Sequence, residues 1–148
     1  MPGFVVFGFA AQLLLIGFFA AHLWRPAREL VFGRLVYGMG LVALVLAVAF
    51  MASGQPWYLT LALALYAVWS AGGALVDHVF PVQWREPPRW SILIPYAALL
   101  MAALLALWVP LWWVDRWLWI AFGVLNATHT LLNIASHRAA RQGGAPTG

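Results

Sequence analysis

Cysteine and lysine are both absent from this chain of 148 residues. Without cysteine there are no disulfides, no thiolate zinc or iron–sulfur sites and no cysteine nucleophile. Charge is scarce as well, because only 8% of the residues are charged, whereas soluble domains carry roughly 25%. Water is therefore not the solvent for most of the exterior, and the composition excludes an ordinary soluble domain.

Hydrophobic residues make up 65% of the chain and are gathered in five long blocks. A helix needs about 20 such residues to cross a bilayer. We predict transmembrane helices over about 4–24, 27–52, 57–78, 91–110 and 116–136. Strands are excluded because the blocks lack a two-residue alternation. The fold class is thus an all-α integral membrane protein, a bundle of five transmembrane helices in one domain, 1–136, followed by a short polar cytoplasmic tail, 137–148.

The arginines predict the orientation of this bundle. Seven of the eight lie in three segments that the number of crossings places on one side of the membrane: 25–34, 85–89 and 138–141. Arg116 alone lies on the other side. Because positive charge concentrates on the cytoplasmic side, we predict an outside N-terminus, a cytoplasmic C-terminus and a multi-pass location in a bacterial-type inner or plasma membrane. These arginines explain the net charge of +4, so we expect membrane lipids and not nucleic acid as partners.

One face of the fifth predicted helix is polar. At 100° per residue, an arc of roughly 100° holds five polar side chains: Asn126, His129, Thr130, Asn133 and His137. Polar groups at membrane depth must face a partner helix, a cavity or water. Two interpretations stay open: the asparagines and threonine form hydrogen bonds between helices, or the face lines a site.

The third predicted helix has a matching stripe, because Tyr66, Ser70, Gly73 and Asp77 fall within roughly 60° of one another. On the assumption that the third and fifth helices face each other, the two stripes form one polar pocket in the inner leaflet, open to the cytoplasm. The ligand-binding candidates are Tyr66, Ser70, Asp77, Asn126, His129 and Asn133.

Several residues also have a simpler structural interpretation. For Asp77 the favoured role is that of an interfacial carboxylate paired with Arg85 or Arg89 in the loop that follows it. Glu29 lies between loop arginines and is expected to form an ion pair there. Trp69, alone in mid-helix, is expected to contribute to packing, and Asp115 is well placed as the N-cap of the fifth helix.

The predicted pocket favours a protein that binds, or also transforms, a small lipophilic molecule. If a reaction occurs, His129 and Asp77 are the best candidates for acid–base catalysis. The sequence leaves open whether the protein is an enzyme.

Alternatives to a ligand-binding protein remain. The chain also suits an accessory subunit of a membrane complex, or a homo-oligomer, whose small residues mediate helix packing. A further alternative is an electron-transfer subunit that binds haem or a quinone, since four histidines permit bis-histidine ligation. No metal site is predicted, because His22 and His78, the weak candidates, lack a diagnostic ligand spacing.

Overall fold

Each hydrophobic block forms a helix in the computed structural model, which describes residues 1–80 and 89–143. The helices are α1 Pro2–Trp24, α2 Pro26–Ala52, α3 Trp57–Ala74, α4 Trp90–Trp108, the short α5 Leu111–Val114 and α6 Arg116–Gly143. Five spans are long and apolar enough to cross a membrane, so the prediction of five apolar helices is confirmed. No strand occurs in the two described ranges.

Local sequence explains where α1, α2 and α3 begin and end. Pro2 and Pro26 are the first residues of α1 and α2. The N–H of a first helical residue has no partner within the helix, so proline, which lacks this N–H, loses no hydrogen bond there. Between α2 and α3, Gly54 adopts φ 65°, a left-handed conformation that glycine reaches without steric cost. The chain turns there, and the N–H of Gln55 donates to the Phe50 carbonyl at 3.0 Å.

Asp115 caps α6, as its position in the sequence predicts. Its Oδ1 accepts hydrogen bonds from the backbone N–H groups of Trp117 at 2.6 Å and Leu118 at 3.3 Å. Two of the donors that every helix start leaves without a partner are therefore satisfied.

We expect Asp115→Ala to lower the free energy of unfolding by about 1 kcal/mol, because both N–H groups lose their acceptor. The measurement is SDS-induced unfolding followed by far-UV circular dichroism. Asp115→Asn is the matched control, since asparagine caps helices about as well as aspartate. Equal destabilisation by both variants would show that the charge, and not the cap, matters.

Two helix ends differ from their predicted positions. Helix α6 continues to Gly143, beyond the predicted end at residue 136, because residues 137–142 contain no glycine or proline and include strong helix formers. Helix α3 passes into a π-helical turn, Leu75–Val79, closed by the bond from the Phe80 N–H to the Leu75 carbonyl at 2.7 Å. Asp77 lies in this turn, and the predicted polar loop that contains Arg85 lies outside the described residues.

The order of the helices around the bundle differs from the assumption made for the pocket. In the described ranges, α1 packs against α2 and α6, α3 packs against α2 and α4, and α4 also touches α6. The main neighbours of α3 are thus α2 and α4, and the main neighbour of α6 is α1. The third and fifth spans are therefore not the main packing partners of each other in the described ranges.

Candidate functional site

The polar face of α6 lies against α1. Gln12 Nε2 donates to Asn126 Oδ1 at 3.3 Å, and His129 stacks on Phe19 with ring centroids 6.1 Å apart. Gly8 lies so close to Phe122 that an added Cβ would sit 3.2 Å from its ring. The contact positions rise together along both helices, so the two helices run parallel. We call this contact between α1 and α6 the seam.

Both helices of the seam present side chains at alternating steps of four and three residues, the spacing of a parallel helix pair. On α6 the buried positions recur every seven residues, at Phe122, His129 and Ser136. The polar face is therefore packed on a neighbouring helix, as helical periodicity predicts, but that neighbour is α1.

The polar stripe of α3 faces α2. Ser70 Oγ donates to the Tyr37 carbonyl at 2.7 Å, Tyr66 donates to the Val36 carbonyl at 3.4 Å, and the Tyr37 hydroxyl donates to Asp77 Oδ2 at 2.5 Å. These bonds satisfy the stripe within the α2–α3 interface. Tyr66 and Ser70 are buried there.

The α2–α3 interface depends on a close approach of the two backbones. Gly40 lies directly against the Ser70 side chain, and a Cβ on Gly73 would lie 2.5 Å from the Tyr37 ring. Only glycine leaves room for these neighbours. The two glycines thereby fix the position of Tyr37.

A cavity of about 140 Å³ lies among five helices, at the end of the bundle where α1 meets α2. Its lining contains five aromatic and four polar side chains, with aliphatic residues and a glycine between them. The lining residues are Leu15, Phe18, Phe19, His22, Glu29, Gly33, Val36, Tyr37, Trp69, Leu93, Tyr96, Ala97, Leu100, Asn133 and Ser136. An apolar wall with a few polar groups is typical of a site for a small organic molecule.

His22 and Glu29 lie at the mouth of the cavity. His22 Nδ1 is 3.0 Å from Glu29 Oε1, and the side chains are 37% and 33% exposed. Glu29 was expected to pair with loop arginines. It instead lies in the first turn of α2, close to the last turn of α1, where its carboxylate contacts the His22 ring.

Some buried side-chain polar atoms have no hydrogen-bond partner within residues 1–80 and 89–143. Trp69 Nε1 and Asn133 Oδ1 belong to cavity-lining residues, His129 Nδ1 and Gln12 Oε1 to the seam, and Thr60 Oγ1 to neither. An unsatisfied buried polar group costs about 1–3 kcal/mol. In native proteins such atoms often bond to ordered water.

The six predicted ligand-binding residues fall into three places. Asn133 lines the cavity, Asn126 and His129 lie in the seam, and Tyr66, Ser70 and Asp77 bond to α2. His129, one candidate for acid–base catalysis, is 2% exposed and stacks against Phe19, which itself lines the cavity. Neither His129 nor Asp77 is a lining residue.

Sequence reasoning missed most of the lining. Tyr37 lies on α2 and Tyr96 on α4, and neither helix carries one of the two predicted polar stripes. For Trp69 a signal was available, because it is a tryptophan placed away from the helix ends. It both packs and lines the cavity, and three tyrosine rings surround it at centroid distances of 5.3–6.3 Å.

No family model, curated protein or solved structure matches this chain at a significant level. What it binds must therefore be argued from its own residues.

Metal ligands do not gather in the part of the chain that the structure describes. No group of three histidine and acidic side chains is close enough there to hold an ion. His22, a weak candidate, is bonded to Glu29. The side chains of His78 and His137 lie outside what the structure describes.

Proposed function

We propose that this protein binds a small lipophilic molecule in the cavity between its helices. The observation that carries the proposal is one largely apolar cavity of about 140 Å³, whose lining sets a few polar side chains, His22, Glu29 and Asn133, among aromatic rings. A protein that used the cavity only for packing would gain stability by filling it. A bound molecule would occupy this space.

The size of the cavity limits the ligand. At about 140 Å³, it is close to an engineered cavity of about 150 Å³ that holds benzene. Sites for drug-sized molecules measure about 300–1,000 Å³. The cavity therefore suits a single ring or a short branched chain, and it is too small for a haem. A quinone-type ring fits, with any tail leaving through the mouth.

We propose that the protein binds its ligand without transforming it chemically. His129 stacks behind Phe19, so it lacks direct access to a molecule in the cavity. The acidic and basic groups nearest that molecule, His22 and Glu29, are already paired with each other at the mouth. These two side chains would contact the most polar end of a ligand.

The orientation completes the proposal. The arginine distribution favours an outside N-terminus and a cytoplasmic C-terminus in a cell membrane. The cavity would then lie in the inner leaflet, with its mouth near the cytoplasmic interface. Lipophilic molecules reach such a site directly from the bilayer.

Single cysteines test the orientation, because the native chain has none. Ser53 and Ala27 are both exposed, near opposite ends of α2. We expect a membrane-impermeant maleimide to label Ser53→Cys in intact cells and Ala27→Cys only after permeabilisation. The reverse pattern would invert the bundle and place the cavity in the outer leaflet.

A cavity-filling variant tests the binding. Gly33 lines the cavity, and a Cβ there meets only the Phe18 ring, at 3.4 Å, so Gly33→Leu places its side chain in the available space. Protein stripped by detergent is unfolded in SDS with and without an organic extract of its host membrane. We expect the extract to raise the free energy of unfolding of the wild type by about 2 kcal/mol if the ligand is present at many times its Kd.

The filled variant should show no such gain. Gly38→Leu is the matched control, because a Cβ at Gly38, on the same helix, meets nothing within 4 Å, and this variant should respond like the wild type. Equal gains in all three proteins would mean that lipid acts on the outside of the bundle, and the proposal would fail.

A further inference from the structure

Glu29 is the one acidic side chain that lines the cavity within the described part of the chain. Its side chain is 33% exposed, so a molecule at the mouth can reach it. Arg25 and Arg28, its basic neighbours in sequence, are exposed, and no arginine of residues 1–80 and 89–143 belongs to the lining. The carboxylate therefore gives the mouth of the cavity a negative charge.

His22 holds this carboxylate in position. Its Nδ1 lies 3.0 Å from Glu29 Oε1, and a neutral imidazole that donates a hydrogen bond there leaves the charge of the carboxylate in place. A carboxylate has about four acceptor sites on its two oxygens. Glu29 can therefore accept from a ligand while it keeps its bond to His22.

The polar side chains of the lining offer little to an anion. The Tyr37 hydroxyl donates its proton to Asp77 Oδ2 at 2.5 Å, and the Ser136 hydroxyl donates its proton to the Asn133 backbone carbonyl at 2.7 Å. A hydroxyl has one proton, so neither has one left for a ligand. Anionic ligands are recognised most strongly by arginine and lysine; lysine is absent from the chain, and an anion would also be repelled by Glu29.

Aromatic rings form much of the remaining wall, from Phe18, Phe19, Tyr37, Trp69 and Tyr96. The face of an aromatic ring attracts cations that lie within about 6 Å of its centroid, and aromatic walls are the usual recognition site for organic ammonium groups. A divalent metal ion does not fit, because it takes about six oxygen ligands and no group of three histidine and acidic side chains gathers in the described ranges.

Resting on the proposed function, we infer that the ligand is a small organic cation, a protonated amine or quaternary ammonium with an apolar body. The body lies among the aromatic rings, and the ammonium group lies at the mouth, where it donates to or pairs with the Glu29 carboxylate. The cavity of about 140 Å³ admits an amine with a single ring. A neutral ligand uses the same rings but gains no attraction between opposite charges.

Three fluorinated probes of matched shape test the inference: 4-fluorobenzylamine, 4-fluorobenzyl alcohol and 4-fluorobenzoate. They carry a cation, a neutral hydroxyl and an anion, respectively, on the same ring. Binding to the full chain in an uncharged detergent is measured by ¹⁹F NMR titration at about pH 8, above the range in which histidines ordinarily take up a proton. Gly33→Leu provides the blank for partition into the micelle, because its side chain fills the cavity.

We expect the amine to bind the wild type about tenfold more tightly than the alcohol, and the benzoate to bind more weakly than either. Glu29→Gln keeps the shape of the side chain but removes its charge, and should reduce the preference for the amine over the alcohol to about twofold or less. Asp115→Asn is the matched control, because it removes one negative charge at the start of α6, outside the lining, and should keep the tenfold preference. SDS unfolding verifies that both variants are folded.

The outcomes separate this inference from the proposed function. Equal binding of all three probes to the wild type, above the Gly33→Leu blank, would leave the proposed function standing and overturn the cationic ligand. An amine preference that survives in Glu29→Gln, or that Asp115→Asn removes to the same extent, would overturn the assignment to Glu29. Binding no stronger than the blank for every probe would mean that the cavity holds no such molecule, and both proposals would fail.

Discussion

Replacing Gly40 with leucine is expected to lower the free energy of unfolding by about 2–3 kcal/mol, because overpacking a close helix contact forces the backbones apart. A side chain at this position collides with Ser70, whose hydroxyl donates to the Tyr37 carbonyl at 2.7 Å. Separating α2 from α3 would break that bond and shift Tyr37, a wall of the cavity. The measurement is SDS-induced unfolding followed by circular dichroism.

Gly38→Leu is the control for this variant. Gly38 lies half a turn away on the same helix, and a Cβ there meets nothing within 4 Å. Both substitutions raise helix propensity by a similar amount, so the difference between them reports packing alone. A Gly40→Leu protein as stable as Gly38→Leu would mean that α2 and α3 do not meet at Ser70.

Replacing Phe122 with alanine is expected to lower the free energy of unfolding by roughly 2 kcal/mol, because the truncation leaves a cavity where the buried ring was. Phe122 is fully buried. It packs against Gly8 and forms an edge-to-face pair with Phe9 at 5.6 Å. Because α6 attaches to the bundle mainly through α1, the loss should loosen the whole seam.

Val124→Ala provides the matched comparison for Phe122→Ala. Val124 lies two residues away on α6 and is 60% exposed, so its truncation leaves no cavity and should change stability little. Similar values for the two variants in SDS unfolding would contradict the parallel seam between α1 and α6.

Hydropathy was sufficient to predict the helices, because each block is about as long as a bilayer is thick and the turns between blocks contain proline, glycine or charge. The predicted ends of the first, second and fourth spans lie within two residues of those in the structure, and that of the third does so when the π-helical turn Leu75–Val79 is counted with α3. The end of α6 lies beyond its predicted position because the hydrophobic block ends before the helix does. Residues 137–142 leave the apolar block but keep a helix-forming composition.

The order of the helices could not be predicted in the same way. In a membrane, the helix face that contacts a neighbouring helix and the face that contacts lipid have similar apolar compositions. The sequence therefore does not show which helix covers the face with Asn126 and His129. The partner proved to be α1, where Gln12 supplies the polar match. Steps of four and three residues on both helices were the available signal.

The cavity was predictable only in outline. Polar groups concentrated toward the arginine-rich end favoured a one-sided site, and Asn133 does line a cavity at that end. Its walls, however, come from five helices, and a volume between them depends on tertiary packing that no single helix face encodes. Tyr37 and Trp69 have their roles because two glycine contacts bring α2 and α3 together.

Native mass spectrometry of the protein, extracted from its own membrane in a mild detergent, tests the central claim most directly. The wild type is predicted to carry one additional organic molecule per chain, and this extra mass is predicted to be lost in Gly33→Leu and kept in Gly38→Leu. A bare chain, or scattered bulk lipid that is unchanged by Gly33→Leu, would contradict a ligand-binding cavity and favour the accessory-subunit alternative.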